Sequence, residues 1–218
     1  VIRTPDATIY CNTNEGQNAT RAYVNSFDSD GFTTGNAAGA SKGPSNNSGD
    51  AYVSWNWKAG GSGSANTSGT INSTVSANTD AGFSVVSFTG TGSAGTVGHG
   101  LSTTPRLIMF KNLATSDDWM VFTYRLTSLN EMNLNENHAS TVTNVFNDTN
   151  PTSTVFSVGA ENATNKSGDA IIAYCFHDVD GFSKFDSYEG NNLDNGTYVY
   201  TGFRPMLVVV KNIDSTGE

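Results

Sequence analysis

An internal repeat constrains this chain more than any other feature. Residues 48–57 match residues 167–176, which lie 119 positions further along the sequence, and the first four residues of the two copies are identical. Bulky side chains then alternate in both copies: Val53, Trp55 and Trp57 in one, and Ile172, Tyr174 and Phe176 in the other. A period of two is typical of a β-strand that turns one face towards a core. The chain therefore contains the same strand twice.

Two further pairs of segments extend the repeat. Residues 82–90 match a segment that starts at Gly181, with an offset of 99, and residues 104–112 match residues 204–212 with an offset of 100. The offset falls from 119 because a tract rich in Gly, Ser, Thr and Asn follows only the first copy of the strand. Such a composition is typical of a flexible linker or a long polar loop.

These matches predict the domain organisation. Residues 1–58 are interpreted as the later half of a β repeat unit and residues 59–81 as the linker or loop. Residues 82–180 then form a complete β repeat unit, and residues 181–218 are the opening half of a further unit. Because the chain starts at Val1 without Met, we also expect it to be an excerpt of a longer protein or a processed product.

The composition favours β-structure throughout. Only 14% of residues are charged, 11% are aromatic, and Leu and Glu are scarce beside Thr, Ser, Asn, Gly and Val, so a helical bundle is excluded. We predict an all-β fold of antiparallel, β-sandwich-like tandem units with long polar loops. Within the complete unit we expect strands near 83–89, 105–111, 119–124, 154–158 and 170–177. Segment 125–140 could hold one short helix or an irregular excursion.

Charge and cysteine content bear on which ligands and cross-links the chain can have. The net charge is −9, and the eleven Lys and Arg residues are scattered, so we expect no nucleic-acid binding. No apolar run approaches 18 residues, so we also expect no membrane insertion. Cys11 and Cys175 are too few and too far apart for a metal signature or a disulfide framework. Two buried free thiols are the favoured interpretation, and a disulfide between them is the alternative.

Candidate catalytic and metal-binding residues form no complete motif. None of the three histidines, His99, His138 and His177, lies in a nucleophile elbow. The acidic pairs occupy turns, where Asp supports the backbone geometry. These pairs are Asp28 with Asp30, Asp117 with Asp118, and Asp178 with Asp180. We predict no catalytic residues, no cofactor and no metal ligands. Two alternatives are left open. One is a structural calcium site at the Asp28–Asp30 pair or at the Asp178–Asp180 pair, and the other is a metal ligand at His99.

Exposed aromatic side chains could stack on sugars, as aromatic rings do in ligand sites. The candidates are Trp119, Tyr188, Tyr198 and Tyr200. Trp119 alternates with Val121, which equally fits packing within a strand. The sequence does not assign glycan-contact residues.

The assembled blocks resemble a repeat domain of large predicted tail-fibre and virion-surface proteins of marine bacteriophages, cyanophages among them. The resemblance is carried by residues 52–61, 82–90, 99–101, 151–159 and 198–205. It implies a structural virion protein, most simply a tail fibre or fibre-like appendage involved in host-surface attachment. No catalytic residues come with this family, so we predict that the chain is not an enzyme.

The resemblance also implies partners and a location. We expect the chain on the virion surface, in contact with other virion proteins and with a host glycan or protein receptor, as a homo-oligomer for which a trimer is favoured. One alternative is a carbohydrate-binding module of a secreted or cell-surface protein. Another is a capsid decoration or tail-assembly protein.

Overall fold

The computed structural model describes residues 2–5, 7–18, 23–35, 45–126, 128, 130–137 and 139–214. These residues form an antiparallel, sandwich-like, almost entirely β fold. The strands are β1 (Val24–Phe27), β2 (Phe32–Thr34), β3 (Ser64–Asn66), β4 (Ser73–Asn78), β5 (Phe83–Thr89), β6 (Gly95–Gly98), β7 (Leu107–Asn112), β8 (Met120–Thr123), β9 (Asn130–Asn133), β10 (Thr141–Val142), β11 (Val155–Val158) and β12 (Ala170–Phe176). The single described helix is α1 (Asn162–Asn165).

Eight of these strands form one antiparallel sheet in the order β10-β9-β8-β7-β12-β5-β4-β3. The last strand in sequence, β12, lies at the centre of this sheet. It pairs along its whole length with β5 and along six residues with β7. Strands β6 and β11 form a separate two-stranded ribbon, and β1 and β2 form a hairpin.

The main core lies between the large sheet and the β6–β11 ribbon. Phe110 is completely buried there, and its ring centroid lies 5.7 Å from that of Phe146 and 5.2 Å from that of Phe156. Val97 and Val158 of the ribbon belong to the same cluster. The two layers thus share one apolar interior, as a sandwich requires.

The opposite face of the sheet is covered by segments from both ends of the chain. The Trp119 ring stacks on Tyr174 with centroids 6.1 Å apart, and its indole N–H donates to the carbonyl oxygen of Tyr10 at 2.7 Å. Trp57 and Phe185 each place a ring against Phe176, at centroid distances of 6.3 Å and 5.5 Å. Segments before and after the large sheet therefore contribute to its second layer.

The five strands expected in the complete unit are confirmed as β5, β7, β8, β11 and β12. The face that meets the main core differs from the expected one, however. Ile171, Ala173 and Cys175 belong to the core cluster, whereas the bulkier alternate residues point to the other side of the sheet. Because β12 is central and covered on both faces, both sets of its side chains are shielded from water.

The tract 59–81, expected to be a linker or loop, contains two strands, β3 and β4. Ile71 and Val75 are buried, and the hydroxyls of Ser73 and Ser76 donate to the carbonyl oxygens of Gly98 and Gly61 at 3.0 Å and 2.8 Å. A small hydroxyl side chain is accommodated in a sheet when its donor is satisfied in this way. The large sheet therefore begins before residue 82.

Segment 125–140 also differs from expectation. Its described residues contain no helix, and β9 instead pairs with β8 and with β10. Asn130 and Asn133 occupy strand positions, so the strand is held by its neighbours in the sheet even though Asn has low strand propensity.

The two cysteines are free, but only one is buried. Cys175 lies in the core, whereas Cys11 is exposed, so the expectation of two buried thiols is wrong for Cys11. Burial raises the pKa of the Cys175 thiol to about 12, against a smaller lowering by the neighbouring Ser84 side chain. Cys175 is therefore held as a neutral thiol at ordinary pH.

Truncation of the Phe110 side chain tests the placement of this core. Phe110→Ala leaves a cavity against Phe146 and Phe156, and we expect the free energy of unfolding to fall by about 3–5 kcal/mol in urea denaturation. Val142→Ala, at an exposed position of β10, is the control and should change it by no more than about 0.5 kcal/mol. Equal effects of the two substitutions would contradict the placement of the core.

Candidate interaction surface

His99 is completely buried and occupies a structural position. Its Nδ1 accepts a hydrogen bond from the backbone N–H of Leu101 at 3.1 Å, and its Nε2 lies 3.2 Å from the carbonyl oxygen of Thr152. These contacts require a neutral ring with the proton on Nε2. Burial, and to a lesser extent the nearby His177, lower the pKa of His99 to about 4, against a raising effect of the Thr152 carbonyl.

Of the other two histidines, only His177 is described. The Nδ1 atom of His177 lies 2.6 Å from the carbonyl oxygen of Asp178, so that ring is held against its own backbone. His138 lies outside the described residues.

The acidic pairs are engaged mainly in local contacts. Asp178 accepts a hydrogen bond from the backbone N–H of Phe185 at 2.9 Å and pairs with the Lys184 ammonium at 2.8 Å. Asp117 accepts from the hydroxyl of Thr115 at 2.5 Å, and Asp118 accepts from the amide of Asn135 at 2.8 Å.

In the Asp28–Asp30 pair, the Asp28 carboxylate accepts a hydrogen bond from the hydroxyl of Thr33 at 2.9 Å, beside the β1–β2 turn. Among the described residues, no group of three or more His, Cys, Asp and Glu side chains could hold a metal ion.

Lys111 is a buried charge that the sequence pattern did not single out. It is 0% exposed, and its ammonium donates to the carbonyl oxygens of Asn14, Asn112 and Asp117 at 3.3, 3.1 and 2.8 Å. Burial lowers the pKa of Lys111, while the charges of Asp117 and Asp118 oppose that shift. Three carbonyl acceptors match the three donors of an ammonium group, so Lys111 ties β7 to the segment before the sheet.

Four charged residues and a tyrosine form a second cluster that sequence reasoning did not identify. The Arg106 guanidinium lies 3.9 Å from the centroid of the Tyr124 ring, and Arg125 stacks on the same ring at 4.9 Å. Asp186 pairs with Arg125 and accepts from the Tyr124 hydroxyl at 3.1 Å, with Lys184 3.9 Å away. This cluster fastens the segment after β12 to the end of β8.

The pKa of Asp186 lies below its usual value. Burial by itself raises that pKa, but the Ser187 backbone N–H, the Arg125 guanidinium and the Tyr124 hydroxyl together lower it. Because the cluster is partly exposed, it contributes little to stability beyond fixing local geometry.

The four sugar-stacking candidates divide into one buried and three exposed rings. Trp119 is 5% exposed and its indole N–H is already bonded to the chain, so it offers no free ring face. Tyr188, Tyr198 and Tyr200 are exposed, Tyr198 by 86%. Only these three retain accessible rings.

Two segments in the described part of the chain expose several large apolar side chains each. Residues 51–57 expose Val53, Trp55 and Trp57, with Trp55 66% exposed. Residues 205–212 expose their apolar side chains from Met206 to Val210, with Met206 95% exposed. A run of exposed apolar side chains of this kind is typical of an interaction site. Segments 51–57 and 205–212 are therefore the candidate interaction surface.

Within the described part of the chain, neither segment pairs with a strand, although each matches a central strand of the large sheet. Residues 51–57 match β12, and residues 205–212 match β7 together with the two residues before it. The repeat was readable from the sequence, but the exposure of one copy was not.

Fold and surface together define an all-β protein that exposes apolar side chains in segments 51–57 and 205–212. The chain belongs to a family described as a domain of unknown function, DUF7483, whose family model matches residues 1–218. No curated protein and no solved structure matches the chain. The one described helix has four residues, so no helix in the described part of the chain could cross a membrane.

The burial of His99 predicts a specific loss of stability in acid. Because the pKa of His99 is about 4 in the folded chain and about 6.5 when unfolded, the unfolded state binds more protons between these values. Stability therefore falls as the pH is lowered through this window, by about 2–3 kcal/mol from this residue between pH 7 and pH 4.5. Urea unfolding at the two pH values measures the loss.

The matched variant is His99→Gln, which removes the titrating group. Its free energy of unfolding should fall by less between the two pH values than that of the parent chain, whatever its stability at pH 7. The same pH-dependent loss in both proteins would contradict the assignment of His99 as a buried neutral ring.

Proposed function

We propose that this chain is a structural unit of a repetitive assembly on a virion surface, most simply a bacteriophage tail fibre or fibre-like appendage that takes part in host attachment. The observation that carries the proposal is the pair of exposed segments that repeat the central strands of the folded sheet. A protein built to associate through repeated β units exposes such surfaces, whereas a self-contained monomer normally buries them.

The chemistry of the described residues supports a mechanical role. His99 is fixed as a neutral ring, Lys111 is enclosed by three carbonyl oxygens, and the acidic pairs bond to neighbouring loops.

The proposed partners are other virion proteins and further copies of the chain, with a homotrimer favoured as for fibre proteins in general. A receptor on the host surface, either a glycan or a protein, would be contacted by exposed loops. The bacteriophage assignment itself rests on the resemblance of the sequence blocks.

Localisation on an intact particle tests this function. Gold-labelled antibodies raised against the chain should decorate a fibre or appendage in electron micrographs of the particle that encodes it. The control is the same antibody after absorption with the purified chain, which should remove the label. Label confined to the capsid shell would instead support a decoration protein, and unlabelled particles would overturn the virion assignment.

A second candidate, a carbohydrate-binding module, is favoured by the exposed rings of Tyr188, Tyr198 and Tyr200. If that function is correct, the chain binds glycans on an array, and Tyr198→Ala weakens binding by roughly tenfold because one stacking ring is lost. Phe32→Ala, which removes an exposed ring of β2, is the control and should leave binding unchanged. An array without bound chain would exclude this candidate.

A further inference from the structure

A recess of about 460 Å³ opens at the end of the large sheet where β7 begins and β8 ends. Its wall is formed by residues 103–106, which lead into β7, by Phe122 and Tyr124 at the end of β8, and by residues 150–151 before β11. Sites for small ligands usually have volumes of about 300–1,000 Å³. The recess therefore has the size of a small-molecule site.

The apolar part of this wall is held in place by the fold. The Phe122 side chain is 2% exposed, and its ring centroid lies 5.5 Å from that of Phe146 in an edge-to-face contact. Pro105 is buried near the start of β7, and Pro151 is half-buried. Because two proline rings and a packed Phe ring form this part of the wall, the recess is preformed, as small-molecule sites usually are.

Arg106 is the only charged residue among the described residues that line the recess. In the described part of the chain its guanidinium forms no ion pair and donates no hydrogen bond, whereas the neighbouring Arg125 and Lys184 both pair with carboxylates. A guanidinium has five N–H donors in a planar fork that matches the two oxygens of a carboxylate. The hydrogen-bond donors of Arg106 are thus available to a ligand.

The Tyr124 ring holds this guanidinium in position. The Arg106 guanidinium carbon lies 3.9 Å from the centroid of that ring, and the Tyr124 hydroxyl is itself fixed by its hydrogen bond to Asp186 at 3.1 Å. A stacked guanidinium has already lost much of its side-chain freedom, so less conformational entropy remains to be lost when a ligand binds. Arg106 is therefore preorganised for binding.

The charge beside the recess is opposite in sign to that of the whole chain. The chain carries a net charge of −9, which by itself repels anions. Near the recess, the carboxylates of Asp178 and Asp186 are already paired with cations. Arg106 has no such counter-charge, so the recess offers an anion a local positive charge on an acidic protein.

The uncharged polar groups of the wall indicate the rest of the ligand. Thr103, Thr104 and Asn150 are exposed, and no hydrogen bond within the described residues uses their side chains. Hydroxyl and amide groups can both donate and accept, as the hydroxyls of a sugar can. The rings of Phe122 and Pro151 offer an apolar surface to the C–H groups of a sugar ring. This combination matches a sugar that carries a carboxylate.

We propose that this recess binds the carboxylate of an acidic sugar residue, a uronate or a related sugar acid of a surface glycan, through the guanidinium of Arg106. The proposal rests on the proposed function for the source of the glycan, and it names the chemistry of the receptor. Two parallel N–H groups of Arg106 donate to the two carboxylate oxygens. Thr104 and Asn150 bind hydroxyls of the same sugar, and Phe122 lies against its ring.

Isothermal titration calorimetry of the purified chain tests the ligand class. The probes are oligosaccharides that contain glucuronate, galacturonate, mannuronate or sialate, each beside a counterpart whose carboxylates are reduced to alcohols. At least one acidic probe should bind, and its reduced counterpart should bind at least about tenfold more weakly because the charge-assisted pair is lost. Absence of binding to every acidic probe, or equal binding of the reduced counterpart, would overturn the proposal.

Arg106→Gln tests the residue. It removes the guanidinium and should weaken the binding of the acidic probe by about tenfold or more. The matched control is Arg204→Gln, which removes the same charge from an exposed arginine outside the recess and should change the affinity by less than about twofold. Equal losses in the two variants would show that net charge attracts the ligand, and the recess would then be rejected as its site.

Two smaller substitutions keep the test decisive if circular dichroism shows that Arg106→Gln disturbs the fold. Arg106→Lys keeps the positive charge but loses the planar fork, so binding should weaken by about threefold to tenfold. Thr104→Val removes one exposed hydroxyl and should weaken binding by about threefold. An unchanged affinity in both variants would contradict the assignment of the recess.

Competition separates a sugar acid from other anions. Oligoglutamate and inorganic phosphate should displace the acidic probe at least about tenfold less effectively than the free oligosaccharide does, because they match the guanidinium but not the neighbouring hydroxyl and amide groups. Displacement by oligoglutamate at the same concentration as the oligosaccharide would mean that the recess recognises charge alone, and the sugar assignment would fail.

A tyrosine variant separates this site from the exposed rings. Tyr198→Ala removes a ring that is 86% exposed and lies outside the recess, so it should leave the affinity for the acidic probe unchanged. Loss of binding in Tyr198→Ala but not in Arg106→Gln would place the glycan on the exposed tyrosines and overturn the proposal.

The outcome is separable from that of the proposed function. Labelled fibres on a particle whose chain binds no acidic sugar would overturn the recess ligand alone. Binding of an acidic sugar that depends on Arg106, by a chain that never labels a virion, would support the recess as a site and overturn the virion function.

Discussion

The pairing of β12 with both β5 and β7 is the interaction on which the remaining structure depends. This strand comes last in the sequence of the sheet but occupies its middle, so the sheet is complete only when the chain has reached Phe176. One face of β12 meets the main core, and the other carries Tyr174 and Phe176 against segments from both ends of the chain. Such long-range pairing connects every layer of the fold and is slow to form.

The interior combines this apolar framework with two buried polar side chains, His99 and Lys111, that are hydrogen-bonded. The His99 ring bonds to Leu101 and Thr152, and the Lys111 ammonium bonds to three carbonyl oxygens. The His99 contacts join two loops, and Lys111 joins β7 to the segments at Asn14 and Asp117. Each contact would leave a buried donor or acceptor without a partner if its loop moved. Polar burial therefore fixes the loops of a protein with little charge on its surface.

The sequence was informative wherever apolar alternation was strong. The strands at β5, β7, β8, β11 and β12 were predicted because Val, Ile, Phe and Tyr recur at a period of two. Strands β3 and β4 were missed because their residues, such as Ser73 and Ser76, resemble those of a linker. They enter the sheet through backbone pairing of β3 with β4 and of β4 with β5, and the pattern of side chains gives no signal for that pairing.

The candidate interaction surface was predictable only in part. The repeat identified the copies of β12 and β7, but periodicity cannot show which copy is paired and which is exposed. Likewise, Trp119 was a reasonable sugar-stacking candidate until its contacts with Tyr174 and Tyr10 were known. Lys111 carried no signal at all, because a single Lys in an apolar strand does not reveal the carbonyl groups that will surround it.

The contrast between the two thiols has a chemical consequence. Cys175 is enclosed beside Ser84 with a pKa of about 12, so it presents almost no thiolate to oxidants or alkylating reagents while the fold is intact. Cys11 is accessible to the same reagents. The folded chain is thus a monothiol to its surroundings, and the appearance of a second reactive sulfur reports that the central strand has left the sheet.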